Sequence, residues 1–425
     1  MNAPLLPGHP HIAYRGTDLY CEQVRLADLA QAHGTPLYVY SKASMLDALS
    51  AYQRGFAGRK VQICYAMKAN SSLAVLQLFA RAGCGFDIVS GGELARVLAA
   101  GGDASRVIFS GVGKTRAEMR QALAAGIGCF NVESEAELEV LNEVALGMGT
   151  QAPVSIRVNP NVDAKTHPYI STGLKGNKFG VAHERTLATY QRAAALPGLR
   201  VVGIDCHIGS QITEVGPYLD AVDRVLDLVH GIEAAGIAIH HIDFGGGLGI
   251  TYNGETPPAA DALWHQLLAK LDTRGYGGRQ LMIEPGRSLV GNAGVCLTEV
   301  LYLKPGEQKN FCIVDAAMND LPRPAMYEAF HGIVPLHARP GATTTYDVVG
   351  PVCESGDWLG RDRALAVQSG DLLAVLSAGA YCASMASTYN TRGRAAEILV
   401  DGSQAVLIRQ RESAADTFGN EILPS

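Results

Sequence analysis

The chain has 425 residues, 48% of them hydrophobic and 18% charged, with a formal net charge of −6 and an isoelectric point near 6.1. That is globular composition, long enough for two domains or for one large barrel with an addition. The mildly acidic balance, with no Lys/Arg cluster, argues against nucleic acid and anionic membrane as partners. The nine cysteines are scattered and form no C-x-x-C pair, so reduced cytosolic thiols are expected rather than a zinc ribbon or disulfide scaffold. The opening "MNAPLLPGHPHIAYR" lacks the basic and apolar regions of a signal peptide, which also favours a cytoplasmic protein.

In chain order, residues 1–35 contain "YRGTDLYCEQV", which has strand character. From residue 61 a period sets in. Short β-rich runs, "VQICYAMKA", "GFDIV", "RVIFSG", "GCFNVES", "VSIRVNP", "VVGIDCHIG", "HHIDFGGG" and "LMIEPGR", alternate with Ala/Leu-rich helical segments, several closed by glycine. Strand–helix alternation predicts parallel strands with crossover helices, and eight such units match a (β/α)8 TIM barrel. After residue 288 the helical spacing fades and turn-bounded runs such as "VCLTEVLYL" and "YDVVGPVC" predict a mainly antiparallel β domain. The expected division is a barrel over 36–286 and a β domain built from 1–35 and 287–425.

The barrel runs end in polar residues: Lys68, Asp87, Ser110, Glu133, Asn159, His207, the glycines 245–247, and Glu284 with Arg287. In this architecture the C-terminal strand ends form the active-site face. "DFGGGLG" (243–249) fails G-x-G-x-x-G, because Ile250 stands where the last glycine belongs; at the end of strand seven it fits a backbone phosphate cradle instead. "SGVGKT" (110–115) fails the P-loop pattern, with Ile108 at the first glycine position. His207 has no second histidine or carboxylate at ligand spacing, so no metal is expected, and Ser210 either joins the phosphate site or caps the next helix. Glu284 suits a heterocyclic N–H and Arg287 a carboxylate. An amine, a phosphate cradle, a flat imidazole and a carboxylate are the parts that hold pyridoxal phosphate. An aldolase-type lysine or a plain sugar-phosphate site stays open on these residues alone.

Nine segments in order, "YAMKAN", "GFDIVSGGE", "HPYISTGLKGNKFG", "HIGSQ", "DFGGGLG", "EPGRSLVGNAG", "MNDLPRPAMY", "GPVCESGD" and "AGAYCASMASTYN", span nearly the whole chain. Through them the chain resembles the fold type III, alanine-racemase-like pyridoxal phosphate decarboxylases. The resemblance implies pyridoxal 5'-phosphate as cofactor, an amino acid as substrate, and a homodimer whose active sites are shared between subunits. It makes Lys68 the Schiff-base lysine, His207 the residue stacking on the ring, and Glu284 the partner of the pyridine nitrogen. Ser210, Gly246 and Gly247 become the phosphate cradle, with Tyr381 reaching the phosphate and Asp87, Gly286 and Arg287 also at the cofactor. Arg287, Arg323, Tyr327 and Tyr381 become substrate binders, Glu354 the holder of the distal amino group, and Cys353 a general acid from the partner subunit. Two arginines suit a substrate that keeps a carboxylate at its far end, as meso-2,6-diaminopimelate does on conversion to L-lysine. Decarboxylation of ornithine or arginine and amino-acid racemisation are the rival activities on this fold. The loop 167–180 is expected to border the site.

Overall fold

The computed structural model describes residues 6–56, 58–163 and 177–424, and they form two compact units. The first comprises residues 1–48, 250–256 and 289–425, the second residues 49–249 and 257–288.

The first unit begins with a three-stranded antiparallel sheet, β1 (Ile12–Arg15), β2 (Asp18–Cys21) and β3 (Val24–Arg25). Strand β4 (Leu37–Ser41) follows, buried along its whole length.

The second unit holds the barrel. Its strands are β5 (Val61–Ala66), β6 (Gly85–Ile88), β7 (Val107–Phe109), β8 (Cys129–Val132), β9 (Ala152–Asn159), a two-residue β10 (Val181–Ala182), β11 (Leu199–Asp205), β12 (His241–Asp243) and β13 (Gln280–Ile283). All pair in parallel, and β13 returns to β5 while β8 pairs with β9, so eight strands close the ring and β10 adds to β9. Each run that alternates with a helical segment became a barrel strand. Local chemistry starts the helices: Ser90, Thr115 and Ser134 each accept the backbone N–H three residues on, and Thr115 with Glu118 completes a reciprocal capping box. Small and medium side chains (Cys64, Ile108, Cys129, Val202 and Met282) fill the interior, as expected of a packed barrel and not a pore.

The chain then returns to the first unit. There β4 joins β14 (Gly294–Lys304), β15 (Asn310–Val314), β16 (Ile333–Pro335), β17 (Thr344–Val349), β18 (Trp358–Leu365), β19 (Leu372–Val375), β20 (Ala396–Asp401) and β21 (Gln404–Arg409). The sheet runs β18-β17-β15-β14-β4-β20-β21, with β19 on β14 and β16 on β19. Only β15–β17 and β20–β4 are parallel, each joining segments brought back by a longer connection. The N-terminal strands lie in their own sheet but share this unit's core: Ile12, Tyr14, Leu19 and Cys21 pack with Leu37, Val39, Val295, Leu297 and Ile398.

Residues 250–256 fall in the first unit and 287–288 in the second, and the longest departure from the expected division is at residues 36–48. Their strand, β4, pairs antiparallel with β14 and parallel with β20, and so belongs to the sheet of the first unit. Among the described residues no helix is long and apolar enough to cross a membrane.

Candidate functional site

The polar residues of the barrel gather where parallel strands deliver them, at the C-terminal ends. Lys68 sits on a single 3-10 turn (Met67–Ala69) after β5, and its Nζ donates to Asp87 Oδ2 at 2.7 Å. Asp87 is fully buried at the end of β6, and its Oδ1 has no hydrogen-bond partner, so a second donor can still be accepted there. The Lys68 side chain remains 40% exposed, enough for its amine to be reached.

On the strand that neighbours β5, Glu284 follows β13. Its Oε1 accepts from Asn131 Nδ2 at 3.1 Å, and Asn131 also donates to Ser110 Oγ at 3.2 Å. Desolvation, then the Asp87, Asp243 and Asp205 carboxylates, push the Glu284 carboxyl well above the usual range, against a smaller opposing pull from Lys68. Asp205, Asp243 and Glu284 each bring a carboxylate oxygen within 4.8 Å of the others. Burial pushes Asp205 up to about 7, with Arg157 opposing, and Asp243 is raised well above its usual value by burial and by Asp205. Three buried carboxyls this close cannot all ionise, so the cluster holds protons that a cation at Glu284 would displace.

The glycine turn after β12 is shaped by steric necessity. Gly245 and Gly247 have φ of +65° and +103°, a region that favours glycine. A Cβ on Gly246 would come within 2.2 Å of the Glu284 carbonyl oxygen, and one on Gly245 within 2.7 Å of His207 Nδ1. The Gly246 N–H donates to His207 Nδ1 at 3.1 Å, which assigns the ring proton to Nε2. Desolvation first, then the Arg157 and Lys68 charges, hold the imidazole well below its ordinary pKa, so it is a neutral plane. Ser210 does not cap the following helix, whose N-cap is Val215 with no side-chain bond. Its Oγ instead accepts from Arg287 Nη2 at 3.0 Å and Nε at 3.3 Å. Gly286 passes close to the first strand, where a Cβ would lie 3.1 Å from Ala66.

Three barrel groups escaped the reading of strand ends. Arg157, inside β9, is buried and pairs with Glu133 Oε1 at 3.2 Å; Asp205 and Asp243 close β11 and β12. A charged residue within or closing an apolar strand run is the available signal for each. Asn159 turns inward on its own loop, its Oδ1 accepting from Asn161 N–H at 2.9 Å. "SGVGKT" binds no phosphate by this geometry: Lys114 is fully buried and donates to the Gly111 and Asn131 carbonyls and to Glu137. The loop 167–180 lies outside the described residues except for 177–180, where the Gly180 N–H donates to Glu133 Oε2 at 3.1 Å.

The remaining expected residues stand in the first unit. Arg323 opens a short helix (Arg323–Tyr327) and is buried, yet makes no ion pair among the described residues. Tyr327 is half-buried on that helix. Cys353 is the one exposed cysteine of the nine, and Glu354 beside it is exposed. Tyr381 adopts φ of +57° on a turn after β19, a conformation uncommon for a non-glycine residue.

The barrel groups fit pyridoxal phosphate on structural grounds. They offer a reachable amine, a neutral ring plane, a turn with no room for Cβ atoms beside a serine and an arginine, and a buried carboxyl that needs a cationic partner to ionise. The family model described as "Pyridoxal-dependent decarboxylase, pyridoxal binding domain" matches residues 42–291. The diaminopimelate decarboxylase of Vibrio cholerae is 55% identical over 407 residues, covering 96% of this chain and 97% of that one. That of Pseudomonas aeruginosa is 55% identical over 411 residues, covering 97% and 98%. The crystal structure of diaminopimelate decarboxylase from M. jannaschii in complex with L-lysine superposes with a TM-score of 0.94 at 38% identity, covering 99% of both chains.

Proposed function

The chain belongs to the diaminopimelate decarboxylases among the pyridoxal-dependent decarboxylases, and from that premise we propose that it converts meso-2,6-diaminopimelate to L-lysine and CO2, the closing step of lysine biosynthesis. The observation that carries the chemistry is Glu284: a buried carboxyl at the end of the strand beside that of Lys68, raised first by its burial and then by the neighbouring carboxylates.

Pyridoxal phosphate, when bound, supplies an electron sink for the pair left behind by departing CO2. The chain's residues do the rest. Lys68 would provide the amine for the cofactor aldehyde, and Asp87, whose Oδ2 accepts from that amine, orients it. Glu284, held by Asn131, would serve as the countercharge of the protonated ring nitrogen. The neutral His207 ring, fixed by the Gly246 N–H, would offer the flat face on which the cofactor ring stacks. Ser210, Gly246, Gly247 and Tyr381 take the phosphate, with Gly286 leaving room beside it. Because the Arg287 fork is aimed at Ser210, we assign Arg287 to the phosphate side, and Arg323 with Tyr327 to the substrate's distal carboxylate. Glu354 meets the distal ammonium. Cys353 Sγ would be the proton donor to the carbon that has lost CO2, with water restoring the thiol proton.

Cys353 and Glu354 are exposed in the single chain, which suits residues that complete the site of a second copy; we therefore propose a homodimer with shared active sites, working in the cytoplasm. A racemase reading is disfavoured by a carboxyl at position 284, and an ornithine or arginine decarboxylase by a cation at 323. The test is turnover: purified protein with meso-2,6-diaminopimelate and pyridoxal phosphate should release lysine. Ornithine or arginine turnover, or alanine racemisation, in its place would sink the proposal.

A further inference from the structure

Arg323 is a buried cation (7% exposed) that makes no ion pair with any described residue. Its Nη1 lies 3.0 Å from His331 Nε2, and its guanidinium carbon sits 4.7 Å from the centre of the Tyr252 ring. His331 is fully buried, and its Nδ1 lies 2.8 Å from the Leu376 carbonyl oxygen. A carbonyl can only accept, so Nδ1 carries the proton and Nε2 turns its lone pair to Arg323. The His331 ring also meets Tyr252 edge-on, with centroids 5.4 Å apart at 80°. Tyr252, His331 and Arg323 thus form one packed cluster. Two neutral groups fix the guanidinium, and no carboxylate pairs with it among the described residues. Burying a charge without a countercharge is unfavourable unless something else supplies one.

We infer that His331 and Tyr252 are positioning residues that hold Arg323 aimed and uncompensated, so that only a ligand with a carboxylate gains from it. This rests on the proposed function and deepens it, because it names how the distal carboxylate is selected. A glutamate at 331 would pair with Arg323 and compete with that carboxylate; a neutral histidine acceptor spends one N–H and leaves the charge. The device selects for the carboxylate and is indifferent to the rest of the molecule.

The experiment compares two probes that differ by that one group: L-lysine, and pentane-1,5-diamine, which is lysine without its carboxylate. Inhibition constants of both are measured against wild type, His331→Ala, His331→Gln and His331→Glu, alongside KM and kcat for meso-2,6-diaminopimelate. His331→Ala should raise KM and the lysine constant together, about tenfold, because one charge-assisted hydrogen bond and its orientation are lost. The diamine constant, kcat and the absorbance of lysine-bound cofactor should stay near wild type. His331→Gln, which keeps an acceptor, should recover part of the loss, and His331→Glu should suffer the largest. Equal weakening of lysine and diamine, or an unchanged KM in His331→Ala, would overturn the inference while wild-type turnover stands. Wild-type protein that releases no lysine would instead overturn the proposed function itself.

Discussion

Replacing Gly246 with alanine tests the glycine turn as the structural basis of the cofactor site. The added Cβ would start 2.2 Å from the Glu284 carbonyl oxygen and 3.0 Å from its carbon. Contacts below 3.0 Å are not sustained, so turn and strand end must part by about 0.8 Å, the difference between 3.0 and 2.2 Å. Neither side is a flexible side chain, since both are backbone. Overpacking of this kind costs about 1–3 kcal/mol of stability. A displacement near 1 Å at a binding constellation can cost roughly a hundredfold in activity. The same movement pulls the Gly246 N–H from His207 Nδ1 and loosens the ring plane. The assay is titration of apoprotein with pyridoxal phosphate, followed by visible absorbance, with thermal unfolding measured in parallel. Gly113→Ala is the control: it lies in "SGVGKT", has no heavy atom within 4 Å of the new Cβ, and should bind cofactor normally. Cofactor affinity in Gly246→Ala equal to that of the control would refute the steric argument.

Lys68→Ala should abolish the absorbance of lysine-bound cofactor, checked by spectrum. Native protein should titrate about one thiol per chain with a thiol reagent, and Cys353→Ala should remove that reactivity and slow turnover far more than it weakens cofactor binding. Lys114→Met should cost about 3–5 kcal/mol in chemical denaturation, since it strands Glu137 in a buried site, whereas Lys114→Met with Glu137→Leu should recover much of the loss. In the apoprotein, Asp205 has a folded-state pKa of about 7 against an ordinary 3.8. The folded chain therefore holds a proton that the unfolded chain has released, and stability contributed by this group falls as pH rises from about 4 to 7, by up to roughly 1.4 kcal/mol per pH unit. Asp205→Asn should flatten that part of the pH–stability curve, and an unaltered slope would refute it.

The barrel was legible because its signal is repetitive: eight apolar runs, each followed by a helical spacing, leave few other folds. The strand-end rule then found Lys68, Asp87, Glu284 and the glycine turn, which share one face because parallel strands all end there. Strand β4 was less legible. Leu37–Ser41 is apolar and precedes a helix, as a barrel strand would be, and only its pairing with β14 and β20 shows which sheet it serves. Arg157, Asp205 and Asp243 were overlooked for a related reason. Their charge is set by neighbours from other strands, and nothing local in "VSIRVNP" or "VVGIDC" shows that Glu133 or Glu284 stands beside it. Tyr252 and His331 are further still, some eighty residues apart in sequence and joined only around Arg323.

The most direct test of the central claim is a product assay with meso-2,6-diaminopimelate, pyridoxal phosphate and the purified chain. L-lysine and CO2 should appear in equal amounts, with ornithine and arginine untouched. Substrate left intact, or consumed without lysine, would contradict it.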